Sequence, residues 1–400
     1  MRILHINSTT KGGVFNYVKD LHYNLLDNGI DSYLFLPKKE NIKNLFFPTS
    51  KLYFFFQKIK IKFSKLLKKF LPKNNQTSTL GIFYSSEITK IINEIDPDLI
   101  HIHWLGNEIL SLKQLAKIDK PIVFTLHDMW LFLPHQHYTL DSNFDVDNKN
   151  FVLKKFTDFL INNKKKLNKQ NIGIVATSEW MKKKIIESNF FEKKKISKIP
   201  IGINFSEWFP ENKIDAKKIL NINTKKRIIL FTSMGPNNLR KGFDLLVDSL
   251  KTLSFEYQLI VSSDVIPKYK NFKDFIFFEN INDLKTRRLL YSAADVLVAP
   301  SRVEAFGLVA LEASACNLPS VVFKNTGFEE TIIDKKNGYL AEYDNKKDFA
   351  VGISWVINKL NENSDFFKTC RENLEIKFEV NKITNKYISL YEDLQKIKKK

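Results

Sequence analysis

The feature that most limits the folds open to this chain is a repeated alternation between short apolar runs and stretches of helical period. Residues 2–7 form an apolar run that predicts a strand, residues 14–26 place apolar side chains at helical spacing, and residues 30–37 predict a second strand. This strand–helix–strand order is typical of a Rossmann-type unit. We therefore predict an α/β protein built on doubly wound parallel sheets.

The alternation occurs twice, and a segment without periodicity separates the two runs. Residues 197–210 are rich in Pro, Gly and Asn, which indicates a linker. A length of 400 residues suits two domains of roughly 150–200 residues each. We predict an N-terminal domain over residues 1–205, a second domain over residues 206–375, and a C-terminal helix over residues 376–400 that crosses back to the first domain.

The chain is strongly basic, with 63 Lys and Arg against 44 Asp and Glu and a net charge of +19. Most of the excess is lysine, whereas proteins that read bases favour arginine, so we expect no nucleic-acid partner. An anionic membrane surface or an anionic substrate is compatible with this charge, and so is a general bias towards lysine and asparagine in the source proteome.

Cysteine usage and hydropathy indicate a cytoplasmic protein. The two cysteines, Cys316 and Cys370, do not form a CxxC pair, which argues against a disulfide framework or a cysteine metal site. The N-terminal residues do not resemble a signal peptide, and no run of about 18 apolar residues predicts a transmembrane helix.

Residues 50–73 form a basic amphipathic insertion with eight lysines and no acidic residue. Two sets of side chains recur at helical spacing and lie on different sides of the predicted helix: Leu52, Phe56, Ile59, Phe63, Leu66 and Phe70, and then Lys58, Lys62, Lys65 and Lys69. Such a helix can lie in the headgroup region of an anionic membrane, peripheral on its inner face. The alternative is an ordinary surface helix that packs its apolar stripe on the domain, and we favour the membrane.

Residues 293–316 contain the candidate site with the most chemistry. Glu304 and Glu312 stand eight residues apart, and Phe306-Gly307 lies between them where an apolar strand and a loop give way to a helix. A helix N-terminus suits a phosphate group, because its N–H groups are unpaired. A carboxylate accepts hydrogen bonds from sugar hydroxyls, so this stretch predicts a nucleotide-sugar site.

Two histidines follow predicted strands in the first half of the chain. His103 and His127 both stand at strand ends, where doubly wound sheets bind ligands, and we expect a site role for His127. The HxHW and HDMW spacings match no zinc motif, so no metal is expected. Gly12-Gly13 before the first helix is either a plain turn or a place where a ligand approaches the backbone.

Several motifs together resemble the retaining glycosyltransferases of the GT-B fold, in family four, with a glycosyltransferase group 1 domain in the C-terminal half. The resemblance covers nearly the whole chain and rests on Gly12-Gly13, DPDLIHIHW, VFTLHD, VATSEW, IPIGIN, RKGFDLL, AADVLVAPSRVEAFGLVALEASAC and NTGFEE…NGYL. It implies two Rossmann-like domains that face each other across a central cleft, with the donor mainly on the C-terminal domain and the acceptor on the N-terminal one.

The resemblance also implies roles for individual residues. Glu304 would bind the transferred sugar and Glu312 the ribose, while Lys241 and the amides from Phe306 to Val309 would hold the diphosphate. His127 would face the reacting sugar. The expected catalytic residues are thus His127 and Glu304, and the expected donor-binding residues are Gly13, Arg240, Lys241, Phe306, Gly307, Leu308, Val309 and Glu312.

The sequence departs from the family pattern in two places. Gly235 is followed by Pro236 where the family usually has a phosphate-binding arginine, and we expect Arg240 to supply that charge. After HDMW, relatives often continue into a segment with Gly and Cys, whereas residues 131–146 here read LFLPHQHYTLDSNFDV. That region should face the acceptor, so the acceptor's identity does not follow from the family.

The predicted function is transfer of a sugar, with retention, from a nucleotide diphosphate sugar to a glycan acceptor. We expect a lipid-linked acceptor in the synthesis of a bacterial surface polysaccharide such as lipopolysaccharide, capsule or exopolysaccharide. We expect no cofactor and no metal, because there is no DxD-like pair on a suitable loop and a lysine can neutralise the diphosphate. Same-face displacement is preferred over a covalent intermediate. The alternatives are an enzyme with a soluble acceptor, such as a sucrose- or trehalose-type synthase, and a non-catalytic protein that binds membranes or nucleic acid.

Overall fold

A computed structural model describes residues 1–71, 77–140, 151–169, 171–192, 194–269, 274–279 and 281–398. The chain divides into two compact units. The N-terminal unit comprises Met1–Pro200 together with Asn381–Lys400, and the C-terminal unit comprises Ile201–Val380. The divisions fall at 200/201 and 380/381, whereas the predicted boundaries lie at 205/206 and 375/376.

The N-terminal unit is built on a seven-stranded parallel sheet with the strand order β3-β2-β1-β4-β5-β6-β7. Its strands are β1 (Arg2–Ile6), β2 (Asp31–Phe35), β3 (Leu45–Phe46), β4 (Leu99–Ile102), β5 (Ile122–Leu126), β6 (Ile172–Ala176) and β7 (Ile196–Lys198). Its helices are α1 (Gly13–Asp27), α2 (Lys51–Lys68), α3 (Ser86–Ile95), α4 (Leu112–Leu115), α5 (Phe151–Lys165) and α6 (Glu179–Glu187). The edge strand β7 occupies the start of the predicted linker, so that part of the prediction is wrong.

The C-terminal unit is built on a six-stranded parallel sheet with the strand order β10-β9-β8-β11-β12-β13. The strands are β8 (Arg227–Ser233), β9 (Tyr257–Ser263), β10 (Ile276–Glu279), β11 (Val296–Ala299), β12 (Ser320–Phe323) and β13 (Gly338–Ala341). The helices are α7 (Lys213–Ile219), α8 (Phe243–Leu250), α9 (Leu284–Ala293), α10 (Leu308–Ala315), α11 (Lys346–Glu362) and α12 (Cys370–Phe378). Two parallel sheets flanked by helices confirm the predicted α/β class.

Both sheets reverse their strand order at one point, and this positions the candidate sites. In the N-terminal unit the reversal lies between β1 and β4, and in the C-terminal unit it lies between β8 and β11. The loops that leave these strands in opposite directions open a crevice at the carboxyl edge of the sheet, where doubly wound proteins bind ligands. The segments that follow β4, β5 and β11 therefore hold the residues of interest.

The last helix, α13 (Val380–Lys398), belongs to the N-terminal unit in all but its first residue. The Tyr391 hydroxyl lies 2.7 Å from Nδ1 of His101, and the Tyr387 hydroxyl lies 2.9 Å from the hydroxyl of Thr125. The helix thus covers β4 and β5 through tyrosine hydroxyls that pair with polar groups on the sheet.

Helix α2 contacts its own unit through a polar seam. The buried Glu108 carboxylate accepts hydrogen bonds from the backbone N–H groups of Leu80 and Gly81 at 2.9 and 3.0 Å, and from the Ser64 hydroxyl of α2 at 2.7 Å. The Lys68 ammonium lies 3.1 Å from the same carboxylate. These contacts attach the helix by the side that carries Ser64 and leave its other sides exposed.

The apolar stripe of α2 is largely exposed, although the ring of Phe63 contacts that of Phe83 in the same unit, with 6.2 Å between centroids. All six of its side chains are between 45% and 72% exposed: Leu52, Phe56, Ile59, Phe63, Leu66 and Phe70. The interpretation in which this stripe packs on the domain is therefore wrong. Residues 72 and 73 of the predicted insertion lie outside the described residues.

Helix α5 also exposes apolar side chains, and it lies beside the end of α2. Its Leu160 packs with Leu71 and Leu80 in one buried cluster, which places α5 beside the end of α2. Phe151, Val152 and Phe159 of α5 are 70%, 72% and 49% exposed. Among the described residues, no helix is both long enough and apolar enough to cross a membrane.

Candidate active site

The loop between β11 and α10 presents the first predicted carboxylate at the switch point of the C-terminal sheet. Glu304 lies in this loop, and Gly307 ends it with φ +88°, a backbone conformation that favours glycine. A Cβ atom at Gly307 would also lie 2.2 Å from the ring of Phe328. The tight turn at Phe306-Gly307 therefore fixes where α10 begins.

Glu304 forms the centre of a partly buried charge cluster. Its carboxylate accepts a hydrogen bond from the Lys241 ammonium at 2.9 Å and lies 3.7 Å from the Arg240 guanidinium. Burial opposes ionisation of Glu304, but the two cations outweigh burial and lower its pKa below the ordinary value. Burial, and then repulsion from Arg240, lower the pKa of Lys241. The cluster places two positive charges and one negative charge at one point of the sheet edge.

A close backbone approach holds the segment of Arg240 and Lys241 against the loop after β11. Gly242 has φ +69°, and a Cβ atom there would lie 1.9 Å from the carbonyl oxygen of Pro300. The backbone N–H of Arg302 donates to the carbonyl of Arg240 at 2.8 Å, and the Arg240 guanidinium donates to the carbonyl of Val303 at 3.0 Å. Only a residue without a side chain allows this contact, which brings residues about 60 apart in sequence together.

The second carboxylate, Glu312, lies inside α10 and is 2% exposed. Its carboxylate pairs with the Arg287 guanidinium and accepts a hydrogen bond from the Tyr291 hydroxyl at 2.9 Å. Burial opposes the charge on Arg287, but the Glu312 carboxylate outweighs it and raises the pKa of Arg287. Glu312 therefore has a fixed orientation. A carboxylate needs a fixed orientation if it is to accept hydrogen bonds from two adjacent hydroxyl groups.

The N-terminus of α10 provides the predicted amide group donors. The helix starts at Leu308 behind the Gly307 cap, so the N–H groups of Leu308 and Val309 belong to its first turn and have no acceptor within the helix. Phe306 is buried and packs against Phe378 with 5.9 Å between ring centroids. This end of the helix carries a partial positive charge directed at the same loop as Glu304.

In the N-terminal unit, the two histidines predicted to stand at strand ends meet at neighbouring strands. His103 follows β4 and His127 follows β5, and their rings lie 3.4 Å apart, from Nδ1 of His103 to Nε2 of His127. Burial lowers the pKa of His127 to about 4, and the neighbouring Asp128 offsets only part of this shift. His127 is therefore neutral at pH 7. Gly13, also in this unit, is the first residue of α1, which begins one residue before the predicted start of the helix.

Asp128 has partners of its own. One carboxylate oxygen lies 2.5 Å from Nδ1 of His137, and the other accepts the backbone N–H of Trp130 at 2.9 Å. Burial raises the pKa of Asp128, but His137 outweighs burial and the net pKa is lowered. His137 in turn lies 2.9 Å from the Thr79 hydroxyl through Nε2. Residues 141–146 of the predicted acceptor-facing segment lie outside the described residues.

Among the described residues, one group has the composition of a metal site. His5, His101 and His103 place a ring nitrogen each within 4.8 Å of one another. However, a metal ion lies in the plane of each imidazole that binds it, and the rings of His101 and His103 stack with centroids 4.0 Å apart and 36° between planes. Both nitrogens of His101 also have hydroxyl partners, Tyr391 and Thr125. This arrangement favours hydrogen bonding over metal ligation.

A large cavity of about 1090 Å³ in the N-terminal unit does not coincide with these residues. It lies along α3 and residues 111–120, and its lining includes Asp96 and Lys120, which precede β4 and β5. It thus extends towards the amino edge of the sheet, whereas ligands of doubly wound sheets bind at the carboxyl edge.

The structure brings together most predicted residues within each unit and adds partners that the sequence analysis missed. Arg240, Lys241 and Glu304 meet in one cluster, and Glu312 lies on the helix that starts beside it. Arg287 and Tyr291 were missed, although their spacing of four places them on one face of a predicted helix. His5 was missed because nothing in its local sequence distinguishes it from a core residue.

Comparison with known proteins identifies the family. The family model described as Glycosyltransferase Family 4 matches residues 11–207. The family model described as Glycosyl transferases group 1 matches residues 212–372. A protein of Klebsiella pneumoniae, an uncharacterized 41.2 kDa protein in the cps region, is 25% identical over 403 residues, with 98% of this chain and 99% of the relative covered.

Two further proteins extend the comparison. The capsular polysaccharide biosynthesis glycosyltransferase CapM of Staphylococcus aureus is 27% identical over 235 residues, which cover 54% of this chain and 60% of that protein. The solved structure of Anabaena Alr3699/HepE in complex with UDP and glucose has a TM-score of 0.68 at 16% identity, with 98% of this chain and 100% of that chain covered. The chain is a glycosyltransferase of the family 4 type with the GT-B fold.

Proposed function

We propose that this enzyme transfers a sugar, with retention of anomeric configuration, from a nucleotide diphosphate sugar to a glycan acceptor of a bacterial surface polysaccharide. The observation that carries the proposal is the cluster of Glu304, Lys241 and Arg240 at the N-terminus of α10. The relative in Staphylococcus aureus acts in capsular polysaccharide biosynthesis, and the Anabaena structure contains UDP and glucose. The Anabaena structure supports a nucleotide sugar as donor, and the Staphylococcus aureus relative supports a surface polysaccharide as product.

In this proposal the C-terminal unit holds the donor. Lys241, Arg240 and the first amides of α10 bind the diphosphate and stabilise the negative charge that it gains as the glycosidic bond breaks. Arg240 then provides the charge that Pro236 does not. Glu304 binds hydroxyls of the transferred sugar, and Glu312, oriented by Arg287 and Tyr291, binds the ribose.

We further propose that the reaction proceeds by same-face displacement without a metal ion. A covalent intermediate needs a free carboxylate at the carboxyl edge of the N-terminal sheet. Asp128 is paired with His137 and Trp130, and Glu108 is occupied by the amides of Leu80 and Gly81. Among the described residues, neither of these two carboxylates is available as a nucleophile, which favours direct displacement. In this proposal the partly buried cations Arg240 and Lys241 neutralise the diphosphate, as a divalent ion does in metal-dependent enzymes.

The decisive experiment measures nucleotide release from UDP-, GDP- and dTDP-sugars in the presence of lipid-linked and soluble glycan acceptors. We expect turnover with one donor and a loss of about 100-fold or more in kcat for Glu304→Gln, because the cluster loses the charge that orients it. Glu342→Gln is a matched control, since Glu342 is an exposed acid whose surface pair with Lys324 lies outside the site. Equal rates for Glu304→Gln and wild type would refute the site, and turnover with soluble acceptors alone would refute the lipid-linked acceptor.

We propose that the enzyme reaches a lipid-linked acceptor by binding an anionic membrane through α2 and α5. The exposed apolar side chains of α2 lie on one side of the helix. Because a helix turns by about 100° per residue, the next part of its surface carries four lysines: Lys58, Lys62, Lys65 and Lys69. All four are exposed. The exposed Phe151, Val152 and Phe159 of α5 extend the same surface. Apolar side chains flanked by lysines match the boundary between acyl chains and anionic headgroups.

Vesicle co-sedimentation tests the membrane proposal. Vesicles with anionic lipid should bind the wild type. The double variant Phe56→Ser/Phe63→Ser should bind at least about tenfold more weakly, because complete burial of each such side chain contributes about 1.5–3 kcal/mol and both side chains are about half exposed. Ile214→Ser/Ile376→Ser is the matched control, because those two side chains are at least as exposed but lie on the C-terminal unit. Equal binding of both double variants would contradict the assignment of this surface.

A further inference from the structure

Three histidines of the N-terminal unit form a chain of imidazole rings. His5 Nδ1 lies 3.0 Å from His103 Nε2, and His103 Nδ1 lies 3.4 Å from His127 Nε2. His5 is on β1, His103 follows β4 and His127 follows β5, three neighbouring strands of the sheet. The chain of rings therefore runs from the interior of the sheet to its carboxyl edge.

The two ends of this chain have different surroundings. Nε2 of His5 and Nδ1 of His127 are both buried and have no hydrogen-bond partner in the part of the protein that the structure describes. His5 is completely buried, whereas His127 follows the end of β5 and is 6% exposed. His127 lines a small pocket of about 20 Å³ at the carboxyl edge of the sheet, which is large enough for one water molecule, whereas His5 does not line it.

All three rings are neutral at physiological pH, because burial lowers the pKa of His5, of His103 and of His127. A neutral imidazole has one N–H and one bare nitrogen, so each ring that donates to its neighbour through one nitrogen accepts through the other. The chain thus has two polarities. Either Nε2 of His5 carries a proton that no acceptor receives, or Nδ1 of His127 carries a proton and Nε2 of His5 is bare.

The second polarity is favoured. An N–H group that is buried without an acceptor is the rarer and more costly defect, whereas an N–H at His127 can be satisfied by a ligand or by water. His101 does not disturb the chain, because its two nitrogens pair with hydroxyl groups of Tyr391 and Thr125. Hydroxyl groups donate or accept as required, so they impose no tautomer on the chain.

We propose that His103 and His5 are positioning residues that fix the tautomer of His127, so that His127 presents Nδ1–H as a neutral hydrogen-bond donor. The acceptor for this N–H rests on the proposed function: it is an oxygen atom of a bound sugar substrate. His127 is then not a general base. The bond from the anomeric carbon to the acceptor oxygen forms as its bond to the diphosphate oxygen breaks, and the acceptor's hydroxyl proton moves to that diphosphate oxygen.

The tautomer can be measured directly, since long-range ¹H–¹⁵N correlation spectra distinguish the two nitrogens of an imidazole. The full-length protein with ¹⁵N-labelled histidine has only seven such rings, and His127→Gln assigns the signal of His127. At about pH 7.5 we expect Nδ1 of His127 to be protonated and Nε2 to be bare. A protonated Nε2 in the wild type would overturn the proposal without any variant of His103.

Two substitutions of His103 separate positioning from mere packing. The amide of asparagine lies near the place of Nδ1, and the amide of glutamine lies near the place of Nε2. His103→Asn keeps a donor towards His127 and should retain the Nδ1–H tautomer. His103→Gln keeps only the link to His5, and His127 should change to the Nε2–H tautomer. The same tautomer in both variants would overturn the proposal, because a packing role predicts no difference in direction.

Turnover gives an independent readout. With the donor found for the wild type, His103→Asn should stay within about threefold of the wild-type kcat/KM, and His103→Gln should fall about tenfold, which corresponds to one misdirected hydrogen bond. Equal losses would contradict the proposal. If no donor supports turnover, the proposed function fails, whereas the tautomer measured by NMR still decides the role of His103.

Discussion

Acid should destabilise the N-terminal unit selectively, because all seven histidines of the protein lie in it. Burial lowers the pKa of His5, His101 and His103 well below the ordinary value of 6.5, that of His127 to about 4, and that of His135 to about 3. In the unfolded chain these rings take up protons below about pH 6.5, whereas in the native unit they stay neutral. The unfolded state then binds more protons, so stability falls as the pH falls through this window.

The magnitude follows from the linkage relation. At about pH 5.5, one unit below the unfolded pKa, each ring that remains neutral in the native state lowers the free energy of unfolding by about 1.4 kcal/mol. Five such rings lower it by about 7 kcal/mol, which is comparable to the whole stability of a typical domain at roughly 5–15 kcal/mol. Carboxylates contribute little in this window, because their unfolded pKa values lie near 4.

Pulse-labelling hydrogen–deuterium exchange along a urea series measures the two units separately, because peptides from each are resolved by mass. We expect the urea midpoint of the N-terminal unit to fall steeply between about pH 7.5 and pH 5.5. The C-terminal unit, residues 201–380, contains no histidine and serves as the control within the same molecule. A change of less than about 2 kcal/mol in the N-terminal unit would refute the reasoning, since His127 and His135 alone account for more than that.

Four further substitutions, one of them a control, test the packing of the sites and of α2. Gly242→Ala should lower the free energy of unfolding of the C-terminal unit by about 2 kcal/mol or more, because its Cβ meets the carbonyl of Pro300. Gly235→Ala is the control, because Gly235 has a similar φ but no atom lies within 4 Å of its Cβ position, and it should lower the free energy of unfolding by about 1 kcal/mol. Equal losses of free energy for the two variants in urea titrations would contradict the close approach at Gly242. Glu312→Gln should lower the same free energy by about 3 kcal/mol, because it leaves the Arg287 charge without its carboxylate, and an unchanged thermal midpoint in calorimetry would argue against that pair. Glu108→Gln should loosen α2, seen as faster hydrogen exchange over Lys51–Lys68, and exchange as slow as in the wild type would show that the polar seam does not hold the helix.

The sequence alone determined the fold class, since short apolar runs that alternate with stretches of helical period require strands that alternate with helices. It also determined the loop chemistry around Glu304, because Pro300, Phe306 and Gly307 restrict the backbone locally. Helix α2 was predicted from its spacing, but spacing gives only the period of a stripe. Which side of the helix meets the unit depends on Glu108, which is 44 residues from Ser64 and contacts it only after folding.

The tertiary structure decided the partners. Arg240 and Lys241 meet Glu304 because Gly242 packs on the carbonyl of Pro300, a contact between residues about 60 apart that no local pattern encodes. The pairing of Glu312 with Arg287 likewise depends on the packing of α9 beside α10. The sequence placed His103 and His127 at strand ends, but only the parallel register of β1, β4 and β5 brings His5 into line with them. Residues that are neighbours in the sequence determine the local chemistry, whereas the protonation state and orientation of a buried group depend on the residues that the fold packs around it.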